Sequence, residues 1–387
     1  MHNNLLIIHG GGPTAVLNAS LYGAVQEAKK HACVGSIYGA VGGTGGLFQE
    51  RLTDLRAVGN ERMELLPYTP GSAIGTSRDH LTDAEYRRMA EVIRKYGIGW
   101  VLCTGGNGSM EMCGKLFETC QALGYGVGVM GIPKTMDNDL AVTDHSPGYG
   151  SAARYIAQSV REVCVDVRSL PIHAVVIETS GRNAGWIAAA AALSGADGQA
   201  GPDLIYLPER PFSEDAFLQD VAALIERKKG VVIVASEGLN GPDGKPVVPP
   251  VFQTNRSVYY GDVSAHLAKL VIQKLGYKAR SEKPGLLGRA SIALQSPVDR
   301  EEARIAGETA CRAVLEGENG KMVAFRRLSA SPYRAETFLV DIREVMLTER
   351  TMPDAFINAK GNGVTEAFTQ WCRPLIGPAL PQFVSFQ

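Results

Sequence analysis

Short apolar runs alternate with longer amphipathic stretches along most of the chain. Residues 5–9, 34–38, 99–104, 127–130, 173–179, 204–207 and 231–235 are brief and mostly apolar, as strands buried in a parallel sheet are. Residues 16–30, 148–167 and 262–275 carry a helical pattern instead, with Ile156 and Val160 four apart on one face. Thr82-Asp83-Ala84-Glu85 is a capping box, and Met89, Val92 and Ile93 behind it keep one face apolar. An alanine-rich helix follows Trp186, the 240–250 stretch is a Gly/Pro-rich loop, and 374–387 predicts irregular extended chain. Strand and helix in alternation predict an α/β fold with parallel sheets. At 387 residues the chain exceeds one ordinary core, so two domains are expected.

Open α/β folds bind ligands outside the carboxyl ends of their strands, so the residues that follow each run matter most. The first run leads into Gly10-Gly11-Gly12-Pro13-Thr14-Ala15 and then a helix. That layout aims backbone N–H groups and a helix N-terminus at an anion, and Gly11 lets the backbone come close. The run 99–104 ends in Gly105-Gly106-Asn107-Gly108-Ser109, a second cradle of the same kind. A third loop, Gly131-Ile132-Pro133-Lys134-Thr135-Met136-Asp137-Asn138-Asp139, supplies an ammonium, a hydroxyl and two carboxylates. Phosphoryl transfer needs those groups: a cation for phosphate charge, carboxylates for metal, and one base for the incoming hydroxyl. The plainer alternative is a polar turn held by Asx-type hydrogen bonds. Arg78 ends the small-residue loop 70–78 with a planar fork suited to phosphate oxygens, and Arg182 and Glu237 tip two later loops.

Composition removes several classes. The formal net charge is −1 and 20% of residues are charged, so no global basic field draws the chain to nucleic acid or anionic membrane. Apolar runs fall short of the roughly 18 residues of a membrane span. The first residues, Met1-His2-Asn3-Asn4, lack the basic region of a signal peptide. The 7 cysteines are scattered without a C-x-x-C pair, which predicts reduced, mostly buried thiols in the cytoplasm and no zinc site.

Taken together, Gly11-Gly12-Pro13-Thr14-Ala15-Val16-Leu17-Asn18, Gly105-Gly106-Asn107-Gly108-Ser109, Pro133-Lys134-Thr135-Met136-Asp137-Asn138-Asp139 and Ser180-Gly181-Arg182-Asn183-Ala184-Gly185 resemble the phosphofructokinase family. The resemblance runs in register over about residues 5–317. It implies two doubly wound α/β domains with the site in the cleft between them. The first is expected at 1–138 plus about 252–305, and the second at 139–251 plus about 306–387. It further implies Mg2+, a homodimer or homotetramer, and small-molecule substrates, with fructose 6-phosphate as acceptor. Asp137 matches the family's general base; Thr135 and Asp139 support the site, Asp139 with Asn107 in the magnesium environment. Arg182 matches the arginine near the transferred phosphoryl, with Gly181 beside it. Arg78 matches a phosphate contact, and Gly11 the close backbone approach. Glu237, Arg289 and His173 match sugar-phosphate positions, and Arg280 a contact reached from a neighbouring subunit.

The donor turns on Lys134. The resemblance gives lysine there to pyrophosphate users and glycine to many ATP users, and an ammonium suits a compact, highly charged donor. Gly108 points the other way, since many pyrophosphate users carry a blocking aspartate at that position. Pyrophosphate is the expected donor, with ATP as the alternative. Asn107, Ser180, His173 and Leu286 depart from the family's usual residues, which leaves open another phosphorylated sugar or a sugar-phosphate sensor.

Overall fold

The computed structural model describes residues 3–169, 172–253 and 258–386. The chain separates into two compact units, residues 1–151 with 289–350 and residues 152–288 with 351–387.

The first unit is organised on a seven-stranded sheet. Its strands are β1 (Asn4–His9), β2 (Ile37–Ala40), β3 (Leu52–Asp54), β4 (Ile98–Gly105) and β5 (Gly128–Pro133), with a later hairpin of Lys321–Ala330 and Tyr333–Asp341. β1 pairs in parallel with β2 on one side and β4 on the other, and β4 continues in parallel to β5. Both edges are antiparallel: β3 lies on β2, and the hairpin folds on itself beyond β5. Leu5 to Ile8 are wholly buried because both faces of β1 are covered. Leu6 and Ile8 meet Met89 and Ile93 on one face, whereas Leu5 and Ile7 meet Leu21, Val25 and Ala306 on the other. A strand's two-residue period makes that division.

Three helices place the loops: α1 (Leu17–Lys30), α2 (Asp83–Lys95) and α3 (Asn107–Ala122). The capping box of α2 forms, with the Thr82 hydroxyl accepting from Glu85 N–H and the Glu85 carboxylate accepting from Thr82 N–H. α1 lies against the helix Pro297–Leu315 at glycine distance: a Cβ on Gly23 would overlap the Arg304 carbonyl, and one on Gly307 would overlap that of Ser20. From β1 the chain steps to β2 on one side and later returns to β4 on the other, so the loops after β1 and β4 flank a topological switch point.

The second unit carries four parallel strands in the order β11-β6-β8-β7: β6 (Ala174–Thr179), β7 (Leu204–Tyr206), β8 (Val231–Ser236) and β11 (Ala279–Glu282). A small antiparallel hairpin, β9 (Pro250–Gln253) and β10 (Val258–Tyr260), sits in the connection before β11. Val176, Ile233, Phe217 and Leu267 belong to one core cluster. Trp186 is fully buried, with ring centroids of Phe356, Phe368 and Trp371 at 6.0, 6.4 and 5.0 Å. Residues 351–387 are thus needed to fill this unit.

The expected α/β class holds, and several boundaries shift. The second strand starts at Ile37, and the glycine loop at 39–46 contains the start of a short helix, Gly43–Phe48. The helix expected at 262–275 is α-helical over Val263–Leu270 and then widens into a π turn, Val271–Leu275. The return to the first unit comes at residue 289, not near 252, because β11 adds to the edge of β6. Residues 306–350 lie in the first unit, not the second, because the hairpin pairs with β5. Within the expected return segment, 254–257 lie outside the described residues. None of the seven cysteines is in a disulfide; Cys33 is exposed and the others are buried. Among the described residues no helix is long and apolar enough to cross a membrane.

Candidate active site

The ends of β1, β4 and β5 open onto one cavity of about 470 Å³ in the first unit. Backbone bonds hold the three ends in register: Gly10 N–H donates to Thr104 O at 2.9 Å and Lys134 N–H to Gly105 O at 3.0 Å. Gly11 is left-handed at φ 76°, and its N–H donates to Ser77 O at 2.8 Å. The Thr76 hydroxyl returns a bond to Gly11 O at 2.7 Å, so the loop bearing Arg78 is stitched to the first glycine turn.

Three cations converge on Gly12. A Cβ there would stand 2.6 Å from Arg289 Nη1 and 2.9 Å from Arg78 Nη2, and the Lys134 ammonium donates to Gly12 O at 2.6 Å. Glycine is required because a side chain would occupy the space the two guanidinium groups use. Burial lowers the Lys134 pKa to about 8; Arg78 and Arg289 push it the same way, and Asp137 and Asp139 oppose them. The N-terminus of α3 faces the same cavity through Asn107, Gly108 and Ser109, adding a positive dipole end. A Cβ on Gly108 would meet nothing within 4 Å, so that wall is open.

The acidic side is held by short local bonds. The Thr135 hydroxyl donates to Asp139 Oδ1 at 2.9 Å and accepts from Asp137 N–H at 3.1 Å. Asn107 Nδ2 donates to Asp139 Oδ2 at 3.0 Å, so both oxygens of that carboxylate are oriented. Between the two aspartates, buried Asn138 is left-handed at φ 55°, and its Oδ1 accepts from Ser146 N–H at 3.0 Å. Asparagine tolerates that conformation, which turns the chain between neighbouring carboxylates.

Asn107 Oδ1 is buried and has no hydrogen-bond partner among the described residues. With the carboxylates of Asp137 and Asp139 on the same cavity, it completes a set of oxygen donors. Oxygen donors suit magnesium, which binds through one or two carboxylates together with substrate phosphates.

The second unit presents a separate set. At the carboxyl ends of β6 and β8, Gly181 N–H donates to Glu237 Oε1 at 3.3 Å and the Ser236 hydroxyl donates to Gly181 O at 2.5 Å. Gly181 has φ 117°, and a Cβ would come within 2.5 Å of Ala184 O, so this turn requires glycine. Arg182 is exposed, its guanidinium 5.0 Å from the centroid of the Tyr260 ring. His173 and Arg280 are elsewhere. His173 immediately precedes β6, where its Nδ1 accepts from Lys278 N–H at 3.1 Å, and exposed Arg280 pairs in register with Val175. Those two residues occupy the amino edge of the sheet, opposite Gly181, Arg182 and Glu237.

The structure therefore gathers Gly11, Arg78, Asn107, Lys134, Thr135, Asp137 and Asp139 at one cavity and adds Arg289, which the sequence had grouped with the sugar-phosphate contacts. His9 also lines it and was missed. It is fully buried, and burial followed by the Lys134 charge pushes its pKa down to about 3, so the ring is neutral. Its Nδ1 lies 2.8 Å from the Ser72 hydroxyl, which donates to Gly75 O. The signal available was a polar residue closing an apolar strand directly before a glycine run.

Two glycine turns at the sheet's switch point, a lysine–aspartate loop and a clustered arginine pair thus share one cavity. The chain belongs to the phosphofructokinase family, whose profile it matches over residues 4–314. It is 36% identical over 405 residues to the pyrophosphate–fructose 6-phosphate 1-phosphotransferase of Xanthomonas campestris, covering 100% of this chain and 96% of that protein. It is 32% identical over 369 residues to a sulfofructose kinase from Alkalicoccus urumqiensis, covering 95% and 93%. The structure superposes on a pyrophosphate-dependent phosphofructokinase from Nitrosospira multiformis with a TM-score of 0.91 and 33% identity, over 100% of this chain and 95% of the other.

Proposed function

We propose that the chain transfers a phosphoryl group from pyrophosphate to the 1-hydroxyl of fructose 6-phosphate, giving fructose 1,6-bisphosphate and orthophosphate. The observation that carries this reading is the convergence of Lys134, Arg78 and Arg289 on Gly12. A compact cluster of fixed cations suits a donor that is all phosphate and offers neither base nor ribose to grip.

The residues divide the work. Gly11, Gly12 and the α3 N-terminus accept the donor phosphates; Lys134 and Arg78 hold their charge, with Arg289 beside them. Asp137 takes the proton of the sugar hydroxyl as its oxygen bonds to phosphorus, and the bridging P–O bond breaks to release orthophosphate. Thr135 fixes both aspartates through the two bonds described above. Asp139, Asp137 and Asn107 would hold Mg2+, which supplies further neutralisation of phosphate charge when bound. On the second unit, Gly181, Arg182 and Glu237 form a loop set suited to a phosphorylated sugar. Arg280, exposed at the amino edge of the second unit's sheet, suits a contact made to a second subunit of a homodimer or homotetramer. A cytoplasmic location fits seven cysteines outside any disulfide.

The test is turnover of fructose 6-phosphate with Mg2+ and either donor. Strong preference for pyrophosphate, with ready reversal from orthophosphate, is expected; preference for ATP would show that the open wall at Gly108 governs donor choice. A second reading of the acceptor rests on the sulfofructose kinase relative. Sulfofructose should be assayed beside fructose 6-phosphate, and faster turnover of the sulfonate would replace the acceptor assignment.

A further inference from the structure

The loop that carries Lys134, Thr135, Asp137 and Asp139 returns to the first unit's interior through residues 143–148, and there it meets a buried charged cluster that no step above uses. His145 is at its centre, 2% exposed. Its Nδ1 lies 2.8 Å from Asp144 Oδ2 and its Nε2 lies 2.8 Å from Glu302 Oε2. Ionised carboxylates accept and do not donate, so these two contacts are both hydrogen bonds only when both ring nitrogens carry protons; the Tyr333 hydroxyl lies farther from Nε2, at 3.4 Å. The ring also stacks on Phe325, centroids 5.2 Å apart.

Every layer around His145 contributes a partner. From the first hairpin strand, Arg327 Nη2 donates to Asp144 Oδ2 at 3.0 Å; from the second, the Tyr333 hydroxyl donates to Glu302 Oε1 at 2.6 Å. Glu302 itself belongs to the helix Pro297–Leu315. Two carboxylates thus face two cations, and the cluster is neutral only with His145 charged. Beyond that shell, Arg350 Nη1 donates to Asp144 O at 2.7 Å, and its own N–H donates to Asp139 O at 2.8 Å. Asp299, also on this helix, accepts from Gly148 N–H and Ser151 N–H, both at 2.8 Å, and burial raises its pKa to about 6. Burial disfavours charge on His145 as well, but Glu302 and Asp144 outweigh it and raise the pKa to about 9.

We propose that His145 is a positioning residue: as a buried imidazolium it fastens the catalytic loop to the Pro297–Leu315 helix and the hairpin, and the loop's Lys134, Asp137 and Asp139 are held in working geometry only while it stays protonated. The role rests on the phosphotransferase reading, but the state of the ring does not. Neither Asp144 nor Glu302 touches the cavity, and the nearest proposed metal-binding residue, Asp139, is six positions away.

Two measurements on the full-length protein test it. The first is a pH titration of the histidine Cε1 resonances by NMR, with His145→Gln identifying the signal. One imidazole titrating above pH 8 and missing from His145→Gln supports the proposal; a His145 signal that titrates near 6.5 overturns it. The second uses Glu302→Gln, which removes one carboxylate and lowers the His145 pKa by roughly 1–3 units, the usual effect of losing a close opposite charge. The His145 pKa then falls from about 9 to roughly 6–8, at or below the value of about 8 at Lys134, so the alkaline limb of kcat should move toward acid by up to roughly two units, with the KM for fructose 6-phosphate unchanged. A limb in Glu302→Gln that coincides with wild type overturns the positioning role. Absence of turnover in the wild type with either donor would instead strike the functional reading, leaving the NMR result to stand on its own. If His145→Gln does not fold, the Glu302→Gln titration identifies the resonance by its shift, and a resonance that fails to move counts against the proposal.

Discussion

Lys134→Met should separate stability from activity in a pH-dependent way. The ammonium is buried, and its pKa falls from 10.5 to about 8. The unfolded chain therefore holds this proton more tightly than the folded one. Stability linked to Lys134 is complete above pH 10.5 and is lost as the pH falls through 8. Linkage puts the deficit at roughly 3 kcal/mol at pH 7 and roughly 1.5 kcal/mol at pH 9.5. Methionine has similar bulk and no charge, so the variant escapes the deficit at both pH values. It also forfeits the bond to Gly12 O, which costs about 1.5–3 kcal/mol at pH 7 as a hydrogen bond from a charged donor. The pH dependence is the decisive quantity. Relative to wild type, Lys134→Met should lose about 2 kcal/mol of advantage between pH 7 and pH 9.5, read from urea melts of both proteins at each pH. His9, whose pKa of about 3 the Lys134 charge helps to lower, stays neutral in the folded protein across this window, so the remaining titrations are shared by the two proteins and cancel. Over the same range, turnover with pyrophosphate should fall at least about 100-fold at pH 7, the scale of losing one fixed charge-stabilising group. Parallel stability curves, or retained turnover, would refute the argument that a desolvated charge is held there for the donor.

Three further outcomes follow from named contacts. Asp137→Asn keeps the local shape and should lower kcat by at least about 100-fold while fructose 6-phosphate still binds, as isothermal titration would show. Arg289→Ala should raise the KM for pyrophosphate more than that for fructose 6-phosphate, since its guanidinium lies beside Gly12 and Arg78; the reverse order in steady-state assays would return it to the sugar phosphate. Gly23→Ala drives a methyl into the Arg304 backbone carbonyl and should destabilise the protein by about 1–3 kcal/mol, seen as a lower melting temperature with KM unchanged.

What could be read from the chain was local. The runs at 5–9, 99–104 and 127–130 became β1, β4 and β5, and the three loops after them do share a cavity, because a buried parallel strand writes its apolar run and its glycine exit in consecutive residues. The Thr82 capping box was equally visible. Arg289 and His173 were not, since their neighbours are 277 and 105 positions away in Gly12 and Lys278, and nothing in the flanking residues specifies such partners. The return at residue 289 was hidden for the same reason. β11 is a four-residue strand with exposed Arg280, Ser281 and Glu282, whose place is set by the free edge of β6 and not by its own apolar pattern.

The interleaving of the two units bears on how the chain is made. A ribosome that has released residues 1–151 has delivered β1 to β5 but not the helix Pro297–Leu315, which covers α1 at Gly23, nor the hairpin, which covers the edge of β5. The second unit's sheet is complete once β11 has emerged, yet Trp186 still waits for Phe356, Phe368 and Trp371. Neither core closes during most of synthesis. The nascent chain therefore carries an open sheet edge and bare apolar faces until its final tenth has appeared, the condition under which a chain is most exposed to aggregation and most dependent on chaperones.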